Sequence, residues 1–342
     1  QGAFCRPSPA PELQMPPLTR IRPQHPPRRF APALSLLLLA TFSSTVIAQG
    51  ADKGEWRLYY EASRPERVQL TFEHYENGMR RYGSTSYGVR PSELRGLPSQ
   101  LSSYNGPAKF QLVRDAGTFN FEGELRAGHG TGFFTFAPDS RFPEQLASRG
   151  YERPTADQQF WLAMHDVGYA MLDELRSDGY QRPSVKELVV MGMHGANLDY
   201  IRSMKAAGYR VGDTRRLVTL RDHGVSDDFI GGLSEAGYKN LSLDDLQELR
   251  DHGVNPEFIA SLRQYGFTGL TTDQLLEARD HGVTGSFIED FRDLGYTNLS
   301  IRDFVRMRDH GVTPGFARQV RASSGSLPSV EYLIRRRDRG DG

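Results

Sequence analysis

The chain has 342 residues, long enough for two domains with sizeable cores, and its 42 basic and 42 acidic residues cancel. The balance is uneven: residues 1–48 hold five Arg and one Glu, so the remainder carries 37 basic and 41 acidic residues, a net of −4. A mildly acidic body argues against a nucleic-acid binder that tracks phosphates, and 19 Phe with 15 Tyr argue against a disordered chain.

The first segment reads as a secretory signal, with Met15 as the expected start. A basic stretch ends at Arg28-Arg29, an apolar run follows at Ala33–Ala40, and Val46-Ile47-Ala48 offers small residues for cleavage near Ala48. The run is too short to span a bilayer core of roughly 30 Å. An uncleaved anchor is the rival reading, and membrane contact is expected through this segment alone. The single cysteine, Cys5, precedes the signal, so the mature chain is expected to hold no disulfide. Export without disulfides suits a bacterial periplasmic or secreted protein.

From 49 to 148 the apolar period is two, as in strands. Trp56–Tyr60, Val68–Phe72, Phe110–Val113, Thr118–Leu125 and Phe133–Phe136 are the expected strands. Glu76-Asn77-Gly78 is a hairpin signal. Residues 91–108, with Leu94, Leu97 and Leu101, read as a loop or short helix. Gly128, Gly130 and Gly132 lie between strands, so they fit a turn or bulge rather than a phosphate loop, which needs a helix after it. His129 is expected to face solvent, and Arg114-Asp115 before Gly117 reads as hairpin chemistry. The segment is expected to form a small antiparallel sheet.

From 149 to 342 the chain repeats. Arg-Asp-His-Gly occurs at Arg221–Gly224, Arg250–Gly253, Arg279–Gly282 and Arg308–Gly311, each copy 29 residues after the last. Degenerate copies fall in phase at His165, at His194-Gly195 and at Arg337–Gly340. Thr155, Ser184, Asp213, Ser242, Thr271, Ser300 and Ser329 share one spacing, and all are N-cap types. Glu187, Asp245, Gln274 and Asp303, three residues on, resemble capping boxes. The histidine follows each cap by ten residues, and usually a glycine follows the histidine, as at a helix end.

A second helix is expected after each first one. Its N-cap types are Asn197, Ser226, Asn255, Thr284 and Thr313, with Pro256 and Pro314 at the first helical position. It stops at Gly179, Gly208, Gly237, Gly266 and Gly295, each followed by Tyr or Phe. Helices this short are marginal alone. Stacked units bury Leu246, Leu249, Phe258, Ile259 and Leu262, giving an α-solenoid of six units with a C-terminal half-unit. The fold class is therefore α+β, an antiparallel β domain followed by an α-solenoid of helix-turn-helix repeats.

Two readings compete for the tetrapeptide. In the structural one, each His complements the C-terminal dipole of its helix. Asp222, Asp251, Asp280 and Asp309 oppose that dipole, so each is expected to cap the following helix or pair with an Arg of the adjacent unit, forming a ladder. In the functional one, Arg221, His223, Arg250, His252, Arg279, His281, Arg308 and His310 line a binding face. Units stack roughly 10 Å apart, which is too far for successive histidines to share one metal ion with bonds near 2 Å. Gly83–Gly88 does not fit a nucleophile elbow, because Thr85 occupies the nucleophile place. No catalytic residue and no cofactor are expected.

Leu249–Ile259, with Gly-Tyr/Phe and Asn-Leu-Ser/Thr between copies, resembles a tandem helical repeat of exported bacterial proteins. The same repeat is associated with the extracytoplasmic tails of antirepressor (beta-lactam-sensor type) membrane metallopeptidases. The resemblance covers roughly 150–340, and Arg114–Gly123 resembles the sheet that accompanies such repeats. The peptidase's zinc motif and membrane spans are absent from the sequence, so the resemblance implies only a sensory or interaction module outside the cytoplasm. The expected function is a non-enzymatic interaction or scaffold module whose partner is a protein of the bacterial envelope. An envelope-stress or cell-wall-ligand sensor and a metal-binding protein using the histidine row stand as alternatives.

Overall fold

The computed structural model describes residues 53–76 and 79–340. The expected signal segment and the Asn77-Gly78 turn lie outside the described residues. Seven strands form one antiparallel sheet: β1 (Lys53–Tyr60), β2 (Val68–Glu76), β3 (Met79–Val89), β4 (Leu94–Arg95), β5 (Asn105–Arg114), β6 (Gly117–Arg126) and β7 (His129–Pro138). Their order is β3-β2-β1-β7-β6-β5-β4, so two meanders are joined by the β1–β7 pair. Alternation builds the core face. Trp56 and Leu58 point in while Arg57 and Tyr59 point out. Trp56 meets the Phe110 ring edge-on at 5.1 Å, and Phe110 stacks on Phe121 at 4.7 Å.

Two expectations about the sheet need correction. Leu94 belongs to a strand, paired with Leu112, after a single turn of 3-10 helix at Pro91–Glu93. β5 starts at Asn105 rather than Phe110 and includes Pro107. Proline is tolerated there because β4 covers β5 only opposite Gln111 and Leu112, leaving that stretch on the sheet's edge. The glycine cluster is a turn, at Ala127-Gly128, running into a strand. Gly130 also makes room: a Cβ there would stand 2.7 Å from the Trp56 ring.

Helix α1 (Phe142–Ser148) follows the sheet and precedes the repeats. Six hairpins then run α2 (Ala156–Met164), α3 (Tyr169–Ser177), α4 (Val185–Met193), α5 (Leu198–Ala206), α6 (Thr214–Asp222), α7 (Asp227–Glu235), α8 (Leu243–Asp251), α9 (Pro256–Arg263), α10 (Thr272–Asp280), α11 (Gly285–Asp293), α12 (Ile301–Asp309) and α13 (Pro314–Ser324). α14 (Val330–Asp338) is a further first helix, the last helix among the described residues. First helices pack on first helices, as α10 on α12, and second on second, as α9 on α11.

Local chemistry sets most of the repeat-helix boundaries. Each N-cap residue named above accepts from an amide in the first turn of its helix, for example Ser242 from Asp245 and Thr284 from Phe287. Five first helices carry full capping boxes: α2, α4, α8, α10 and α12. At the other end the glycine after the histidine is left-handed, as at Gly224 with φ 74°. Gly224 N–H bonds Arg221 O, and Val225 N–H reaches back to Leu220 O, closing the last turn. Val225 is fully buried, so the turn also contributes to the core.

Sheet and helices share one core. Phe160 of α2 packs edge-on against Phe119 at 5.6 Å and Phe136 at 5.4 Å. Farther along, α7 borders a cleft and a groove. It contains Gly231 and Gly232. Gly232 has a packing reason, since a Cβ would stand 2.4 Å from Pro256 Cγ, but a Cβ on Gly231 would enter open space. A cleft of about 360 Å³ lies between α7 and Ala207–Tyr209, and a shallow groove open to solvent lies between α7 and α9.

Candidate functional site

The tetrapeptide sits at the C-terminal end of each first helix, with Asp as the last helical residue and His as the C-cap. The Asp neither caps the following helix nor pairs with an arginine. Its carboxylate accepts from the Nδ1–H of the histidine one unit earlier. The pairs are His194–Asp222 at 2.7 Å, His223–Asp251 at 2.5 Å, His252–Asp280 at 2.7 Å and His310–Asp338 at 2.8 Å, with His281–Asp309 equally joined. The aspartate that opposes its own helix dipole is thus compensated from the neighbouring unit. Its hydrogen bond to Asp280 holds the His252 pKa above its ordinary value, although partial desolvation works the other way. Both partners of each rung are about 40% exposed, so a single rung contributes little stability.

The arginines also reach backwards. Arg221 lies over the Tyr200 ring at 5.1 Å, Arg250 over Phe229 at 5.3 Å, Arg279 over Phe258 at 5.1 Å and Arg308 over Phe287 at 4.1 Å. Arg308 Nε also donates to Gly282 O at 2.8 Å. Glycine matters twice at this place. It takes the left-handed turn, and it leaves room for the next unit's guanidinium: a Cβ on Gly224 would stand 3.1 Å from Arg250 Nε. All four side-chain places of the motif therefore act between units. The row ends at α14, where Arg339 takes the histidine place. Among the described residues no group of three or more His, Cys, Asp or Glu side chains could hold a metal ion.

The first unit breaks the pattern because its neighbour is the sheet. His165 stands where the row would begin, but 28 residues on is Met193 instead of an aspartate. His165 is buried, its ring stacks on Trp161 at 5.8 Å, and burial pushes its pKa down to about 4, so it is neutral at pH 7. Gly192 replaces the arginine, because a Cβ there would stand 2.6 Å from His165 Cβ. Asp166 replaces the left-handed glycine at φ 57°. Arg114 of β5 lies 3.2 Å from it while donating to Glu93 at 2.7 Å.

The N-cap of α3 is likewise supplied by the sheet. Counting by 29 puts Gly168 where other units have Asn, Ser or Thr. Gly168 has no capping side chain, and Asp115 Oδ2 from the β5–β6 hairpin accepts the Tyr169 N–H at 2.7 Å. A Cβ on Gly168 would stand 2.4 Å from that oxygen. Gln159 completes the joint: buried in α2, it donates to Ala116 O and Asp139 O, both at 2.8 Å.

Sequence reasoning found the row but not this joint. The available signal was the failure of phase at Asp166, Gly168 and Gly192. No protein-family model, curated protein or solved structure matches the chain.

Proposed function

We propose that the chain is a non-enzymatic scaffold that presents its helical stack to a protein partner outside the cytoplasm. One observation carries this reading. The His, Asp, Arg and Gly that look like catalytic material are engaged in joining neighbouring units, which supports a scaffold role. The extracytoplasmic setting rests on the signal-like segment before Ala48.

The test compares capture from envelope extract by the intact chain and by an Asp251→Ala/Asp280→Ala variant, with far-UV circular dichroism to verify folding. A partner held by the intact stack and released by the loosened one supports the scaffold. Identical capture profiles for the two proteins count against it.

A further inference from the structure

We infer that the cleft between the Gly150 and Gly179 turns binds a small anionic ligand through its carboxylate or phosphate group. The cleft holds about 180 Å³ and is lined by Arg149, Arg176 and Arg182, with Tyr151 and Tyr180 as aromatic walls. Asp173 is the one carboxylate among the described residues that line it, so three cations face one anion.

This excess is not a product of the repeat. Counting by 29, Arg149 answers to Asp178 and Ala207, and Arg182 to Val211 and Asn240. Arg176 does have counterparts, in Arg263, Arg292 and Arg321. Those three donate to the carbonyls of Ala236, Tyr265 and Leu294, each at the end of the preceding second helix. Arg176 instead turns to Asp173 at 3.3 Å, on the cleft wall.

The guanidinium groups are held before any ligand arrives. Arg149 lies over the Tyr169 ring at 4.5 Å and donates through Nη1 to Gln145 O at 3.0 Å. Arg182 donates through Nη1 to Gly150 O at 3.1 Å, and its Cζ lies 5.8 Å from the Tyr151 ring. Gly150 permits this approach, since a Cβ would stand 2.7 Å from Arg182 Nη1. A fixed guanidinium loses little entropy on binding and offers a paired edge to two oxygens of one oxyanion. The cleft's size suits such a group with a few further atoms attached.

The experiment is calorimetric titration of the full chain with inorganic phosphate and, separately, with citrate, at low and at physiological salt. Saturable binding of at least one anion, weakened by salt, is expected, and the preferred anion identifies the group. Arg182→Gln should weaken binding about tenfold, the loss of one charge-assisted contact, while Arg318→Gln on the exposed face of α13 should leave it unchanged. Asp173→Asn, which removes the competing carboxylate, should tighten it. Tighter binding cannot come from misfolding, so this variant keeps the test decisive if Arg182→Gln is unstable. No saturable heat with either anion, equal losses in the Arg182 and Arg318 variants, or no tightening in Asp173→Asn overturns the inference.

Discussion

From the second unit onward, each step along the stack is joined by the same exchange. An aspartate takes the histidine of the unit before, and an arginine covers that unit's aromatic ring. The step from sheet to first unit meets the same demands with other residues. The helix start that Asn255 or Thr284 caps at its third amide is capped by Asp115 at its first, Tyr169 N–H, and the charge that a following arginine would bring comes from Arg114. What persists across the two kinds of joint is the physical requirement, satisfied termini and compensated charge, and not the residue that meets it. A repeat unit beside a different neighbour departs from its own consensus at the contacts and keeps it elsewhere: α2 retains its Thr155 capping box.

Breaking the sheet joint should have the largest effect. Gln159→Leu keeps the volume but removes one of the two donors to each of two carbonyls, which keep only the N–H groups of Asp139 and Phe142, an expected cost of about 2 kcal/mol in urea unfolding. A cost below about 1 kcal/mol would mean that water reaches those carbonyls.

The borrowed cap gives a sharper test. Asp115→Ala should cost about 1–2 kcal/mol. Gly168→Ser alone should also destabilise, because its Cβ meets Asp115. Combined, the two changes recreate the local cap used by Ser226 and should recover most of the loss. Simple additivity of the two costs would refute the equivalence of the two joints.

A third change lies in the stack, away from the sheet. Gly231→Ala places its methyl in open space and should stabilise by about 0.8 kcal/mol through helix propensity alone. A loss of stability in the same denaturation assay would show that the glycine has a packing role.

Removing one rung should be the mildest change, and it should depend on pH. Asp280→Asn should cost about 0.5 kcal/mol, as expected for an exposed pair. Asp280 raises the His252 pKa, so the contribution is fully present below the ordinary value near 6.5 and is lost as pH rises through the raised one. The difference in stability between wild type and variant should therefore shrink as pH rises above about 6.5 and through the raised pKa. A gap that stays constant would mean that the proton is not involved.

Legibility in the sequence followed the range of the contact. Caps and terminal glycines act within four or five residues, so Ser242, Asp245 and Gly253 announced their roles. The ladder was legible as a row but its partners were not, because Asp251 meets a histidine 28 residues before it and not its neighbour His252. Repetition made such a row visible at all. Asp115, Arg114 and Gln159 act once each, across 54, 52 and 43 residues, and the broken phase at Asp166 and Gly168 marks the place of such a contact without naming its partner. Pro107 hid the start of β5 for a different reason: its ring argues against a strand unless the edge position is known.

The glycine pair in α7 bears on how the molecule yields. In a rod of stacked segments, compliances add in series, so curvature under load gathers at the softest segment. α7 combines weak helix propensity with an open cleft beside Ala207–Tyr209 and a surface groove toward α9, which leaves its neighbours room to tilt. Bending would then leave a sheet-bearing arm and a C-terminal arm intact and alter the angle between them. Amide hydrogen exchange should report this directly, with α7 exchanging faster than α9 or α11 although all three belong to the same layer of helices.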